Sequence, residues 1–373
     1  MPDLGPLYTV LGTYAANRID GDPQWLNLIG GSGWGKTALL MSLTGLPHVH
    51  LASTMTEASL LSGTSRRDKG KDATGGLLQK MGPFGYLICK DFTSVLSMNR
   101  EASTTMLAAL REIFNGSWTR HVGVDGGRTL HWQGKLCLIA GCTGAIDRYH
   151  AIVGALGERF LSYRMHTLEA DQQGRRALEL AGSEKAMREA LAGAVTQLFS
   201  ALVLPERPLV LEEDAKESLI ALATLAARCR SSVIRDSYRF DIELILDPEA
   251  PARLALSLLR LYRGMCAIGV TADTGRPLIF KVALDCMPAI RRAIFTKMVG
   301  DAQKWETAQL ATTLGYPTQT TRRTLEDLTA HGIVVRQKNG KADQWNLSDL
   351  AYGLYQRAIK VFPDIYQEDS HDL

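Results

Sequence analysis

The chain has 373 residues, 46% of them hydrophobic and 22% charged, which is long enough for two or three domains with sizeable cores. A net charge of +3 is only mildly basic, so it excludes an extensively basic surface, and any nucleic-acid contact must be local. We expect no secretory leader, because the first residues lack a basic stretch and a long apolar run, and no apolar run has the length of a membrane span. The six cysteines show neither C-x-x-C pairs nor metal spacing. We therefore expect a cytoplasmic protein without a membrane segment.

One octapeptide near the start of the chain carries the strongest motif, and we call it the glycine loop: Gly30, Gly31, Ser32, Gly33, Trp34, Gly35, Lys36 and Thr37. It matches G-x-x-x-x-G-K-[ST] at every fixed position. An apolar strand is predicted before it and a helix after it, which is the context in which such a loop cradles phosphate groups. Lys36 would then reach the β- and γ-phosphates, and the Thr37 hydroxyl would bind Mg²⁺. We expect this loop to bind ATP together with Mg²⁺.

The residues after the glycine loop predict alternating strands and helices. Tyr86 to Phe92 is an apolar strand with an acidic residue, Asp91, at its end. A helix is predicted through Met106 to Phe114, and the Asp-Gly pair at 125–126 predicts a hairpin between two strands. The loop over residues 63–72 is expected to be exposed, with four basic residues.

Two further strands complete the first half. Leu136 to Thr143 is a buried strand with a polar end, and the segment from Gly157 to Met165 leads from a glycine into another strand. From about 167 to 285 the pattern becomes helical, with helices predicted at Arg175 to Leu204, Ala215 to Arg230 and Pro251 to Ile268.

The last part of the chain predicts a winged helix-turn-helix. Two helices are expected over Thr307 to Leu314 and Gln319 to His331, followed by two short strands closed by Asn339-Gly340. A DNA contact is expected at the start of the second helix and on the wing, at Thr318, Gln319, Arg322, Arg323 and Lys338. The alternative is a protein-binding module.

In this order, the glycine loop, acidic strand, hairpin, polar-ended strand and Gly-Glu-Arg-Phe segment resemble the AAA+ ATPases. The resemblance is to a divergent minichromosome-maintenance (MCM)-like helicase of bacterial mobile elements, and it spans roughly residues 24 to 270. It implies an α/β fold: a P-loop AAA+ core with a parallel sheet (1–166), a helical lid (167–285) and a C-terminal winged helix-turn-helix (286–373). It further implies an ATPase that assembles into a ring, for which a hexamer is one candidate size among those the sequence leaves open, and that acts on DNA as a helicase or translocase.

The resemblance also assigns roles to single residues. Asp91 matches the acidic strand end that holds Mg²⁺, and Thr143 falls where a polar residue orients the attacking water. Arg159 falls where an arginine finger reaches a neighbouring subunit, and Arg253 where the lid carries a second sensor. Arg120 and Arg128 lie on the hairpin, where they could contact a DNA strand threaded through a ring. For each the alternative is structural: a surface arginine, a threonine capping a strand, or an exposed hairpin charge.

One departure from the family pattern concerns catalysis. The family carries Asp-Glu where this chain has Lys90-Asp91-Phe92. Either Asp91 is the Mg²⁺ ligand and Phe92 replaces the glutamate, or Asp91 replaces the glutamate and Lys90 the Mg²⁺ ligand. Glu101 or Glu112 could substitute. The incomplete pair supports a second hypothesis, a nucleotide-gated DNA-binding regulator or assembly platform with weak hydrolysis.

Overall fold

The computed structural model describes residues 3–53, 55–62, 75–123, 127–155, 158–166, 170–207, 209–301, 303–339 and 342–364. The chain forms two compact units. The first comprises Met1–Tyr149, Glu158–Phe160 and Arg164–Glu206, and the second His150–Gly157, Leu161–Tyr163 and Arg207–Leu373. The three-part division expected from the sequence stays a prediction.

The first unit is built on a five-stranded sheet with helices around it, so the expected α/β class is confirmed. In chain order its elements are α1 (Gly5–Asn17), β1 (Trp25–Ile29), α2 (Lys36–Met41), β2 (Val49–Ala52), α3 (Glu57–Leu60), α4 (Leu77–Met81), β3 (Phe84–Cys89), α5 (Phe92–Leu96), α6 (Arg100–Phe114), β4 (Ser117–Val122), β5 (Arg128–Gln133), β6 (Lys135–Cys142), α8 (Ala170–Glu179) and α9 (Glu184–Ala201). The fifth strand of the sheet is β7 (Phe160–Arg164), whose two end residues belong to the first unit and whose residues Leu161–Tyr163 are grouped with the second.

The sheet has the strand order β2-β3-β6-β1-β7. Strands β2, β3, β6 and β1 pair in parallel, with Ile29 opposite Cys142 and Cys89 opposite Ala140. At the edge, the Met165 N–H after β7 donates to the Ile29 carbonyl at 2.8 Å. The interior strands are mostly apolar, with Asn27 as a buried polar residue in β1, and they are buried at every position of β1 and at nearly every position of β3 and β6, as expected for a parallel sheet covered on both faces.

The predicted hairpin is present. Strands β4 and β5 pair antiparallel from Ser117 opposite Gln133 to Val122 opposite Arg128. Residues 124–126 at its turn, and the predicted exposed loop at 63–72, lie outside the described residues. Alternate side chains face different ways, so Trp118 and Trp132 are buried while Thr119 and His131 are exposed.

One helix prediction was wrong. The segment from Arg175 to Leu204 contains two helices, α8 and α9, rather than one. Gly182 between them has a φ of +87°, a left-handed conformation that a continuing helix cannot contain. The apolar pattern in the sequence therefore spans two helices, the second of which begins at Glu184.

The second unit is mostly helical and ends in a small sheet. Its elements are α7 (His150–Ala155), α10 (Glu213–Arg230), β8 (Val233–Arg235), β9 (Ile242–Ile245), α11 (Pro251–Ala267), α12 (Ala272–Asp285), α13 (Ala289–Gly300), β10 (Trp305–Glu306), α14 (Thr307–Leu314), α15 (Thr318–Ala330), β11 (Val334–Asn339), β12 (Ala342–Leu347) and α16 (Asp349–Ile359). Among the described residues, no helix combines the length and apolar character needed to cross a bilayer.

Helices α14 and α15 and the pair β11–β12 match the elements predicted for the last part of the chain to within about two residues at most boundaries. Strand β10 joins the pair in the order β10-β12-β11. Trp345 of β12 is buried and donates from its indole N–H to the Thr307 hydroxyl at 2.9 Å, which fixes the hairpin to the start of α14.

Candidate functional site

The glycine loop connects β1 to α2 in a conformation that requires glycine. Gly33 and Gly35 have φ values of +82° and +79°, the left-handed region that side chains disfavour. At the start of the loop the Gly30 N–H donates to the Cys142 carbonyl at 3.1 Å, which ties the loop to the end of β6. The predicted strand–loop–helix context is therefore present.

Lys36 is the first residue of α2 and folds back over the loop. Its ammonium donates to the Gly30 carbonyl at 2.7 Å and to the Gly31 carbonyl at 2.5 Å. Burial lowers the pKa of the ammonium, while Cys142 and the Asp91 carboxylate act in the opposite direction. Thr37 is exposed beside it. A cation and a hydroxyl thus lie together at the mouth of the loop.

Trp34 occupies a variable position of the motif, and its side chain packs against the loop itself. A Cβ added to Gly31 would lie 2.6 Å from the Trp34 indole, and one added to Gly30 would lie 3.0 Å from it. The indole is therefore packed directly on the first two glycines. Sequence reasoning assigned Trp34 only to the loop and missed this contact, because the residue occupies a variable position of the motif.

Asp91 follows β3 by two residues and caps helix α5. Its carboxylate accepts from the Ser94 N–H at 3.3 Å and is exposed, and it is close enough to Lys36 to act on that ammonium electrostatically. Phe92 is 1% exposed and packs on Phe160 at a ring-centroid distance of 5.2 Å. The residue at the position after Asp91 is therefore part of the core, and Asp91 is the carboxylate that lies near the glycine loop.

Thr143 is exposed just beyond the end of β6. Its N–H donates to the Thr93 hydroxyl at 2.9 Å, and the two hydroxyl oxygens are 3.4 Å apart. Gly141 makes this arrangement possible, because a Cβ there would lie 2.6 Å from the Lys90 carbonyl oxygen. Two threonine hydroxyls therefore stand side by side at the carboxyl edge of the sheet.

The strand order brings these groups together. Strand β6 lies between β1 and β3, so Thr143 stands between the glycine loop and Asp91. Adjacent strands are about 4.8 Å apart, which leaves roughly 10 Å between the axes of β1 and β3. The carboxyl edge thus combines a glycine loop, an ammonium, a carboxylate and hydroxyls around one space.

A buried arginine supports this edge and was not predicted. Arg164 at the end of β7 binds the Asp147 carboxylate with two hydrogen bonds of 2.6 and 3.1 Å. Asp147 lies in the short 3₁₀ helix Gly144–Tyr149 that follows Thr143. This bidentate pair fixes the segment after Thr143. Sequence alone gives no signal for it, since the partners lie 17 residues apart.

Arg159 lies at the opposite, amino edge of the sheet, because it immediately precedes β7. Its guanidinium is 5.4 Å from the centre of the Phe114 ring, at the end of α6. Strand β7 spans five residues, about 17 Å, so Arg159 is too far from its own glycine loop to contact a phosphate there. A role at a phosphate would need the loop of another subunit.

The two glutamates considered as substitutes for the missing acid lie near opposite ends of α6. Glu101 lies in its first turn and Glu112 near its end, where it pairs with Arg111 at 3.6 Å. The chain continues from α6 to Gly116, whose carbonyl accepts from Gly134 just before β6 begins. Glu112 is therefore at the amino edge, away from the glycine loop.

On the β4–β5 hairpin, the Arg120 side chain is bound to other residues of the first unit. It donates to the Leu61 carbonyl at 2.6 Å and pairs with Glu57 at 3.2 Å. Arg128, at the other end of the register, is partly exposed. The exposed face carries the cross-strand pairs Thr119–His131 at 3.0 Å and His121–Thr129 at 3.1 Å.

In the second unit, Arg253 is half-exposed at the start of α11. It pairs with Glu249 at 3.3 Å, and the same carboxylate binds the buried Arg230 at 2.5 Å. Arg253 is thus held by an acid that also neutralises Arg230.

The DNA-contact candidates of the last part of the chain have different surroundings. Thr318, Gln319 and Lys338 are exposed. Arg322 pairs with Glu326 at 3.2 Å, and Arg323 stacks over the Phe240 ring at 4.1 Å. On the β11–β12 hairpin, Arg336 pairs with Asp343 at 2.7 Å, which lowers the pKa of that carboxyl.

Across the described ranges, no group of three or more His, Cys, Asp or Glu side chains is placed to hold a metal ion on its own. No model of a known protein family matches the chain, and comparison with curated proteins found no match.

Proposed function

We propose that the chain is a Mg²⁺-dependent ATPase of the AAA+ type that assembles into a ring and acts on DNA. The observation that carries the proposal is the convergence of the glycine loop, Asp91 and Thr143 at the carboxyl edge of the sheet. An ammonium, a carboxylate and a helix start around one space form an arrangement suited to a polyphosphate with its metal ion.

The residues present fit ATP and Mg²⁺. Gly33 and Gly35 leave the loop backbone open for phosphate oxygens, since nothing lies within 4 Å of a Cβ added to either. Thr37 and Asp91 supply the hydroxyl and carboxylate oxygens that Mg²⁺ prefers. When bound, the metal ion would neutralise negative charge that develops on the phosphates.

The chain's own side chains would supply the remaining functions. Lys36 would exchange its contacts with the Gly30 and Gly31 carbonyls for phosphate oxygens. The Thr143 and Thr93 hydroxyls would hold and orient the attacking water. Arg159 would act on a phosphate of the neighbouring subunit, since its position excludes its own. The helices of residues 167–285 would form the lid, and Arg253 would be its sensor.

The nucleotide proposal is tested with Lys36→Ala. We expect wild-type protein to hydrolyse ATP. The variant should hydrolyse it at least about hundredfold more slowly, because charge stabilisation at the phosphates is lost. Lys80→Ala, an exposed lysine in the last turn of α4, is the matched control and should retain the wild-type rate. Equal turnover in wild type and Lys36→Ala would refute the proposal.

The subunit-interface proposal is tested by mixing variants. Arg159→Ala should lower kcat by about 10³-fold or more and change nucleotide affinity little. Lys36→Ala retains Arg159, and Arg159→Ala retains the glycine loop. Mixed rings should therefore regain turnover that neither variant has alone. Arg159→Ala with wild-type kcat, or mixtures no more active than the sum of their parts, would refute action across an interface.

For DNA, we propose that α14, α15 and the β11–β12 hairpin form a winged helix-turn-helix. Lys338→Ala should weaken DNA binding and reduce the slope of log K against log salt by about 1. Arg323→Ala is a useful comparison, because its guanidinium already stacks on Phe240 and should contribute less. A salt slope unaffected by Lys338→Ala would indicate that this surface binds something other than DNA.

A second candidate is a nucleotide-gated DNA-binding regulator or assembly platform. The burial of Phe92 favours it, because no glutamate stands next to Asp91 to polarise water. In that case ATP should promote oligomers and DNA binding, with turnover too slow to separate strands. Unwinding of a forked duplex in the presence of ATP would rule out this candidate in favour of the motor.

A further inference from the structure

Cations of α15 and of the β11–β12 hairpin converge on one carboxylate at the surface of the second unit. Arg336 of β11 pairs with Asp343 of β12 at 2.7 Å, and Arg322 of α15 lies 3.9 Å from the same carboxylate. Lys338 stands directly opposite Asp343 in the strand pairing. Two structural elements that the sequence marks for DNA contact thus meet at an acid.

The electrostatics of Asp343 reflect these neighbours. The hydrogen bond from Arg336 lowers the pKa of the carboxyl, partial burial opposes this, and the charges of Arg322 and Lys338 lower the pKa further. The carboxylate is therefore ionised at neutral pH. It occupies the place where the positive charge of α15 and β11 is focused.

A second acid, Glu326 of α15, is shared with the interior. One of its carboxylate oxygens accepts from Arg322 at 3.2 Å, and the other accepts from Arg235 of β8 at 3.2 Å. Arg235 is largely buried and also pairs with Asp327 at 2.6 Å. Because Glu326 divides its charge between an outer and an inner arginine, it neutralises Arg322 only in part.

The acid lies beneath the two arginines that it holds. The side chain of Asp343 is 18% exposed, whereas that of Arg336 is 36% and that of Arg322 52% exposed. A guanidinium carries five N–H donors, so this exposure leaves donors of both arginines accessible to an anion from solvent. Arg336 is also fixed by the buried Trp345, whose ring centre is 5.5 Å from its guanidinium.

We propose that Asp343 is an internal competitor of DNA, whose carboxylate holds Arg336 and Arg322 where a phosphate of the DNA backbone would bind. This inference rests on the proposed DNA role of α15 and the hairpin. Carboxylate and phosphate oxygens are alternative acceptors for the same arginine donors, so a phosphate must displace Asp343 or share its arginines. The acid thereby keeps the occupancy of DNA low unless other contacts offset this cost.

The test is fluorescence anisotropy of a labelled mixed-sequence duplex, titrated with the full chain at physiological ionic strength. Asp343→Asn keeps the shape of the side chain and removes its charge. It should tighten binding about threefold or more, because exposed ion pairs are worth a factor of up to about five. Asp343→Thr removes the same charge with a residue that favours strands and should act alike.

Asp349→Asn is the matched control. It makes the same change of charge in the first turn of α16, and β12 separates the two acids by roughly 14 Å. Charges further apart than about 8 Å are largely screened under these conditions, so binding should change by about twofold or less. Circular dichroism of each variant checks the fold.

The gain must also depend on the arginine. In an Arg336→Gln background, Asp343→Asn should tighten binding less than it does in wild type, because the shorter of the two ion pairs is already absent. The same gain in both backgrounds would contradict competition for Arg336.

The remaining outcomes separate this inference from the DNA role itself. Duplex binding by wild type, with neither Asp343 variant tighter than Asp349→Asn, would overturn the inference and leave the DNA role intact. No duplex binding by wild type or any variant would refute the DNA role, and the inference with it. Displacement of the duplex from Asp343→Asn by sub-millimolar inorganic phosphate would show that these arginines favour a free anion, and would overturn the assignment to DNA.

Discussion

The close approach of β6 to the end of β3 makes Gly141 a sensitive position. In Gly141→Ala the new methyl group would lie 2.6 Å from the Lys90 carbonyl oxygen and 3.1 Å from a Leu40 methyl group. The Leu40 side chain can rotate, but a backbone carbonyl cannot. Since ordinary contact begins at 3.4 Å, the two strand ends must separate by about 0.8 Å. Asp91 directly follows Lys90 and would be displaced from Lys36.

We expect this overpacking to cost about 1–3 kcal/mol. Hydrogen–deuterium exchange followed by mass spectrometry reports it locally, which suits a chain of two units. Amide exchange in peptides covering β3 and β6 should become about five- to 150-fold faster in Gly141→Ala, and peptides of the second unit should not change. ATP turnover, measured in parallel, should fall because Asp91 has moved.

Gly144→Ala is the matched control. It lies three residues further along the chain, and nothing stands within 4 Å of a Cβ added there. Its exchange and turnover should match wild type. If Gly141→Ala exchanges within about twofold of wild type, or if Gly144→Ala changes as much, steric contact with Lys90 does not control this edge.

Three further predictions concern other contacts. Trp34→Phe should abolish the change in tryptophan fluorescence on ADP addition, because the indole packed on the first two glycines must respond to phosphate; an undiminished change would place the signal elsewhere. Arg164→Met should lower the free energy of unfolding in urea by about 2 kcal/mol, which is less than for a fully buried pair because Asp147 is one-quarter exposed. In the double variant, Asp147→Asn should lower that free energy little further. Burial raises the pKa of Cys89 to about 11 and of Cys229 to about 12, so Ellman's reagent at pH 8 should modify them far more slowly in native than in unfolded protein. Unfolded thiols ionise first, so urea stability should fall as pH rises from about 9 towards 12, and constant stability across that range would contradict this.

The sequence predicted features that local residues determine. The glycine loop was recognisable because Gly33, Gly35 and Lys36 follow one another and their conformations depend on neighbours. The β4–β5 hairpin followed from an Asp-Gly pair between strand-forming runs. Helices α14 and α15 lie where the helix-turn-helix pattern of the sequence predicted them, and Gly315 in a left-handed conformation ends α14.

Features that depend on a variable position of a motif or on distant partners could not be predicted. The packing of Trp34 depends on how the loop folds over itself. The pair Arg164–Asp147 exists only because β7 ends beside the segment that follows β6. A cavity of the first unit is lined by residues from Tyr14 to Ser200, and no motif connects them. The edge at which Arg159 lies was also hidden, since it follows from the direction of β7 in the sheet.

The placement of β6 between β1 and β3 limits how the distance between Asp91 and Lys36 can change. The distance between the two flanking strands is set by backbone hydrogen bonds, so no substitution inside β6 can bring Asp91 nearer to Lys36. Only the reach of side chains at the strand ends remains adjustable, such as the one extra carbon, about 1.5 Å, that Asp91→Glu would add. A shorter distance between these two groups therefore has to come from the few residues that project from the end of the sheet.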